Sequence, residues 1–137
     1  MPTHEFQIEV QPAYLPEESA PEAGVYRFAY TITVTNTGTQ PAQLVARHWI
    51  ISDARGHTEE VRGLGVVGRQ PLLKPGEAFQ YTSGCQVRTA SGTMHGSYLC
   101  LTEEGETVRT ESALFLLEAQ EQDGDAAPQP LHGRTLH

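Results

Sequence analysis

Cysteine is scarce in this sequence: Cys85 and Cys100 are the only two among 137 residues. With no CxxC pair, the chain offers neither a dithiol redox motif nor the paired spacing of a structural zinc site. Isolated thiols in a reducing compartment default to the free state, and Cys100, set in an apolar stretch, is expected to fill a small space in the core. Bases are also few. Nine Lys and Arg stand against 17 Asp and Glu, a formal net charge of −8, and the bases are scattered singly. Nucleic-acid binders need a basic stripe to neutralise phosphates, so direct nucleic-acid binding is excluded on this reading, together with anionic membranes. No apolar run approaches the roughly 20 residues needed to cross a bilayer. The opening MPTHEFQIEV lacks a basic start followed by an apolar stretch, so no secretory signal is read there. The expected location is the cytoplasm.

Catalytic signatures are missing too: there is no GxSxG elbow, no HExxH and no P-loop. The six histidines, His4, His48, His57, His95, His132 and His137, have no i, i+4 or Cys/His spacing of a strong metal site. Long-range convergence of His48, His57 and His95 is left open by the sequence. Glu59-Glu60 and Glu103-Glu104 lack the apolar neighbours that would bury a carboxyl and shift its pKa for acid–base work. The chain is therefore expected to be no enzyme and to hold neither cofactor nor metal.

What the sequence does contain is alternation. In VYRFAYTITVTN, residues 25–36, Tyr26, Phe28, Tyr30, Ile32 and Val34 occupy every second position and so one face of a strand. Arg27, Ala29, Thr31, Thr33 and Thr35 form the other, solvent-tolerant face, and Asn36 to Gly38 ends the strand with turn chemistry. Phe6, Ile8 and Val10 alternate in a first strand expected to stop near Pro12. Residues 42–53, AQLVARHWIISD, are apolar on both sides of the chain and predict a central strand with Trp49 at the core. A turn at Asp53–Gly56 leads to a short return strand at 57–61. Further strands are expected at 78–81, 94–101 and 108–117, and Pro75-Gly76 suits a type II turn. Seven short strands without a helix predict an all-β, antiparallel β-sandwich, fibronectin type III-like or immunoglobulin-like. It spans residues 1–118, and 119–137 reads as a polar, flexible tail.

The sharpest local motif is GLGVVG, with Gly63, Gly65 and Gly68 in GxGxxG spacing. Dinucleotide folds need a helix directly after such glycines, and Pro71 and Pro75 deny one here. Without a helix, a glycine loop still can offer N–H groups to an anion, and Arg62, Arg69 and Lys74 flank this one. The plainer reading is a compact path between sheets. Gly63, Gly65, Gly68 and Arg69 are thus the candidate residues for an anion or a partner. Leu64, Val66, Val67, Leu72 and Leu73 are expected to lean outward.

Several segments together resemble the bacterial ApaG family, also called CorD. They are RFAYTITVTN (27–36), Ala46-Arg47, Trp49 to Asp53 with Gly56, GVVGRQPLLKPGE (65–77), YTSG (81–84), and Gly92, Met94, Gly96 and Tyr98. The similarity runs from about residue 6 to 118 in the expected order. It implies a fibronectin type III-like sandwich and no agreed catalytic residues. It also implies a genetic setting shared with diadenosine tetraphosphate hydrolysis and an rRNA dimethyltransferase, and a link to cobalt tolerance and magnesium efflux. Similar eukaryotic domains are appended to F-box proteins and a DNA-polymerase-interacting protein, as interaction modules. Gly63, Gly65 and Gly68 match a glycine motif once proposed there as a nucleotide-phosphate site, but Leu64 stands where members often carry Glu. Cys85 replaces a small residue after YTSG. The expected function is protein–protein binding with a partner the sequence does not identify. The alternatives are nucleotide-phosphate binding at Gly63–Gly68 and divalent-metal sensing.

Overall fold

The alternating stretch predicted at 25–36 forms the middle strand of the first sheet. A computed structural model describes residues 3–119, and the statements below concern those residues. The expected tail from 119 onward lies almost wholly outside them. The strands are β1 (Phe6–Tyr14), β2 (Tyr26–Asn36), β3 (Ala42–Asp53), β4 (Thr58–Leu64), β5 (Leu72–Leu73), β6 (Ala78–Val87), β7 (Ser91–Thr102) and β8 (Thr107–Glu118). Two 3-10 turns, Pro16–Glu18 and Pro21–Ala23, join β1 to β2. One sheet has the order β1-β2-β6 and the other β4-β3-β7-β8, with β5 paired to β3 beside β4. All pairings are antiparallel. This is the expected sandwich.

Its interior follows the period of two. Phe28, Tyr30, Ile32 and Val34 of β2 face Leu44, Trp49 and Ile51 of β3 and Met94, Tyr98 and Cys100 of β7 in one buried cluster. Trp49 is its largest member. Phe115 and Tyr98 meet the indole edge-on at 6.2 and 5.7 Å, the arrangement ring quadrupoles favour. Cys100 is a fully buried free thiol and Cys85 a half-buried one. Ala29, assigned to the solvent-tolerant face, is instead fully buried, near the end of β2 on which the Pro16–Glu18 turn packs.

Several strands run past their predicted ends. β1 continues through Pro12, which pairs with Tyr30. An edge strand tolerates proline where the missing N–H would point away from its neighbour. β6 runs on through Gly84 to Val87, and β4 absorbs Gly63 and Leu64. The two-residue β5 went unpredicted, so there are eight strands where seven were expected. The turn at Pro75-Gly76 forms as read, with Gly76 at φ 86 and Glu77 N–H donating to Lys74 O over 2.9 Å.

Two polar side chains hold the connections. The buried Asn36 amide donates to Gln40 O and Leu73 O, both at 2.9 Å, and its oxygen accepts from Gly38 N–H. Asp53 accepts from the N–H groups of Arg55 and His57, both at 2.9 Å, and from Arg88. Burial alone would raise the Asp53 carboxyl, but these donors outweigh it and hold it below the usual carboxylate range.

Candidate functional site: the glycine loop and the leucine face

After β4 the chain must cross from the larger sheet to β6 of the smaller one. Residues 65–76 make this crossing. Val66 N–H donates to Arg69 O at 2.8 Å and Arg69 N–H to Val66 O at 2.9 Å. Between them Val67 and Gly68 take φ of 44 and 80, the positive pair that type I′ hairpin turns require. A β-branched residue at positive φ is a genuine outlier; Val67 is the one non-glycine residue in that region among those described.

Each glycine of the motif has a local reason. Gly65 takes φ 71, and a Cβ there would lie 2.6 Å from Arg69 O. Gly68 supplies the turn. Gly63, inside β4, pairs with Arg47, and a Cβ on it would meet the Arg47 guanidinium at 2.9 Å.

Arg47 is the residue the sequence reading passed over. It shares the inward side of β3 with Trp49 and Ile51, and its Nη1 donates to Gly65 O at 2.8 Å and Leu64 O at 3.2 Å. A β-bulge between Leu44 and Ala46 displaces Val45 from the β7 ladder. The Val45 carbonyl accepts instead from Gly65 N–H at 2.8 Å and Gln70 Nε2 at 3.0 Å. Arg69 lies over the Phe79 ring, 5.6 Å from its centroid, tying the loop to β6. Of the other bases thought to flank an anion, Arg62 reaches Glu60 at 3.4 Å, while the Lys74 N–H donates to Glu77 Oε1. The N–H groups of Gly65, Val66 and Arg69 are all engaged within the protein.

The outward lean expected of five loop residues holds for two. Val66 and Leu73 are buried and Val67 half-buried, whereas Leu64 is 80% and Leu72 55% exposed. Leu73 pairs with inward-facing Ala42, so Leu72 beside it must face out.

The register then brings in two residues that no sequence pattern joins to the loop. Leu64 pairs with Ala46, and Ala46 with Leu99. Leu72 pairs with Gln43, and Gln43 with Leu101. Cross-strand partners share a face, so Leu64, Leu72, Leu99 and Leu101 lie on the outer face of the larger sheet. Leu64 and Leu99 are two strand spacings, roughly 10 Å, apart. Leu99 and Leu101 are each 36% exposed, between buried Tyr98, Cys100 and Thr102. Leu114 and Leu116 are also exposed, further along β8.

Among the described residues no group of three His, Cys, Asp or Glu side chains could hold an ion, and His132 and His137 lie outside those residues. His48 and His57 each lie near a glutamate, Glu60 at 3.8 Å and Glu59 at 3.9 Å. No helix among the described residues is long and apolar enough to cross a membrane.

Fold and loop together define a small antiparallel β-sandwich of the fibronectin type III-like kind, closed on one side by an arginine-latched glycine loop. The sequence pattern of the ApaG domain matches residues 16–102, and the chain belongs to the ApaG family. It is 63% identical to Protein ApaG of Acidovorax sp. (strain JS42), over the whole of both chains. It is 52% identical to Protein ApaG of Dechloromonas aromatica (strain RCB), covering 95% of this chain and 98% of the relative. The crystal structure of the putative ApaA protein from Bordetella pertussis superimposes with a TM-score of 0.85 at 50% identity, covering 88% of this chain and 98% of that one.

Proposed function

We propose that this protein is a non-enzymatic module that binds another protein through the outer face of its larger sheet, beside the glycine loop. The observation that carries this reading is the set of leucines exposed together on one face, Leu64, Leu72, Leu99 and Leu101. Clustered exposed apolar side chains mark interaction sites far more often than scattered ones do. The strained turn at Val67 adds support, because backbone strain persists where the surrounding structure holds a functional shape. A nucleotide phosphate would need outward-turned N–H groups, and three of the loop's are already bonded internally. A cytoplasmic setting linked to cobalt and magnesium homeostasis, which the family resemblance implies, is the setting proposed for the binding event.

The test places a photo-crosslinking amino acid at position 64 in cells, with position 9 on the other sheet as control. A discrete protein adduct at 64 that is absent at 9 is the expected result; no adduct at 64 overturns the reading. Backbone-amide NMR titration with diadenosine tetraphosphate, with and without magnesium, and then cobalt, completes it. Saturable shifts at residues 63–69 with micromolar nucleotide would transfer the site to the phosphate reading, and cobalt-specific shifts would transfer it to metal sensing.

A further inference from the structure

The charges around the leucine face narrow what it takes. Beyond Leu101 the chain turns from β7 to β8 through Glu103, Glu104, Gly105 and Glu106, all exposed. Gly105 N–H donates to Thr102 O, Glu106 N–H to Thr102 Oγ1 and Thr102 N–H to Glu106 O, at 3.0, 3.1 and 2.8 Å. The backbone of the turn is thereby fixed, and its three carboxylates stand at the end of the apolar face. None of the three forms an ion pair among the described residues. The nearby bases are Arg109, which pairs with Leu99, and Lys74, which follows Leu73; Arg62 is occupied by Glu60. Glu111, opposite Ser97, adds a further acid.

Resting on the reading above, we propose that the Leu64, Leu72, Leu99 and Leu101 face docks a short protein segment whose apolar side chains are flanked by lysine or arginine. The leucines would cover its apolar side chains, and Glu103, Glu104 and Glu106 would meet its bases. A second copy of this chain fits poorly. It would bring the same carboxylates and a net charge of −8 against their like. Four partly exposed leucine side chains also offer only about 400 Å² of apolar surface, against roughly 800 Å² per partner in a standard stable interface.

The test uses the full chain, isotope-labelled, and two synthetic twelve-residue amphipathic peptides with leucines at identical positions. One carries lysine at its polar positions and the other glutamate. The lysine peptide is expected to give saturable shifts at residues 64, 72, 99, 101 and 103–106, and the glutamate peptide to bind at least about tenfold more weakly. The E103Q/E104Q/E106Q variant should weaken the lysine peptide roughly tenfold, three exposed pairs of modest strength acting together. The E9Q/E17Q/E22Q variant, which removes equal charge from exposed positions elsewhere, should leave binding unchanged. Equal loss in both triple variants would reduce the effect to bulk charge attraction and overturn the proposal. Equal binding of both peptides at the leucines would preserve the docking face but overturn the basic partner. Absence of shifts with either peptide overturns it too, as does a dimer in sedimentation that L64S/L99S abolishes.

Discussion

Gly65 and Gly68 occupy the same left-handed region of backbone space, yet they are not equivalent. At Gly68 nothing lies within 4 Å of an added Cβ, whereas at Gly65 the added atom would sit inside the contact distance of the Arg69 carbonyl. Replacing Gly68 by alanine should therefore cost only the left-handed penalty, about 1–2 kcal/mol. Gly65→Ala adds a backbone collision to that penalty and should cost at least about 1 kcal/mol more. Chemical denaturation of the two variants checks the order. If both cost the same, the close approach of Arg69 O to Gly65 does not constrain the loop. The chemistry of the motif is thus set by geometry within the protein, and the GxGxxG spacing arises from a strand position, a crossing and a hairpin turn.

At the scale of elements, the loop is held by β3. Two features of that strand and one opposite it act on the loop: the bulge frees the Val45 carbonyl, Arg47 reaches Gly65 O and Leu64 O, and Gly63 of β4 leaves the guanidinium its space. Arg47→Met keeps the aliphatic stem and removes the donors, leaving two carbonyls to find other partners. The expected loss is about 1–3 kcal/mol, with faster amide exchange at Gly65, Val66 and Arg69 and little change in the β7–β8 pairing. Arg47→Lys should recover only part of it, because one ammonium cannot reproduce the planar fork. Exchange that accelerates uniformly across the sandwich would instead make Arg47 a general core residue. Most strands were legible because Tyr26 to Val34 and Phe6 to Val10 keep a period of two, and the stretch around Trp49 is apolar on both sides as a central strand is. The boundaries were less legible: Gly63, read as part of a loop, lies within β4, and β6 runs past the expected 78–81 to Val87. The latch was not legible, because positions 47 and 65 meet only through strand register. Nor was the leucine face. In the apolar run Tyr98 to Leu101, periodicity separates two faces but does not say which is covered.

The molecule as a whole keeps its buried phenols and thiols protonated, and this sets its response to alkali. Burial pushes the Tyr30 phenol up to about 12, and the neighbouring Cys85 sulfur adds to that while Ser83 opposes it. Tyr81 and Tyr98, which share a short hydrogen bond between their hydroxyls, are raised further, again chiefly by burial. Burial also raises the Cys85 and Cys100 thiols, to about 12 and about 11. In the unfolded chain these groups ionise near their ordinary values, about 8.5 for Cys and about 10 for Tyr. Below those values both states hold their protons and nothing is lost. Above them the unfolded state releases protons first, so the folded state binds more, and stability falls as pH rises. The decline should begin near pH 8.5 through the thiols and steepen above pH 10 through the phenols. Tyr98→Phe separates the two contributions of its hydroxyl. At pH 7 the variant should be less stable by about 1–3 kcal/mol, because Tyr81 loses its partner. Above pH 10 its stability should fall less steeply than that of the native chain, so the two curves converge. Urea denaturation at intervals from pH 7 to 11 measures both effects. Parallel curves would mean that Tyr98 ionises as readily in the folded protein as in the unfolded one, which a phenol sealed between two sheets and packed edge-on to Trp49 should not do.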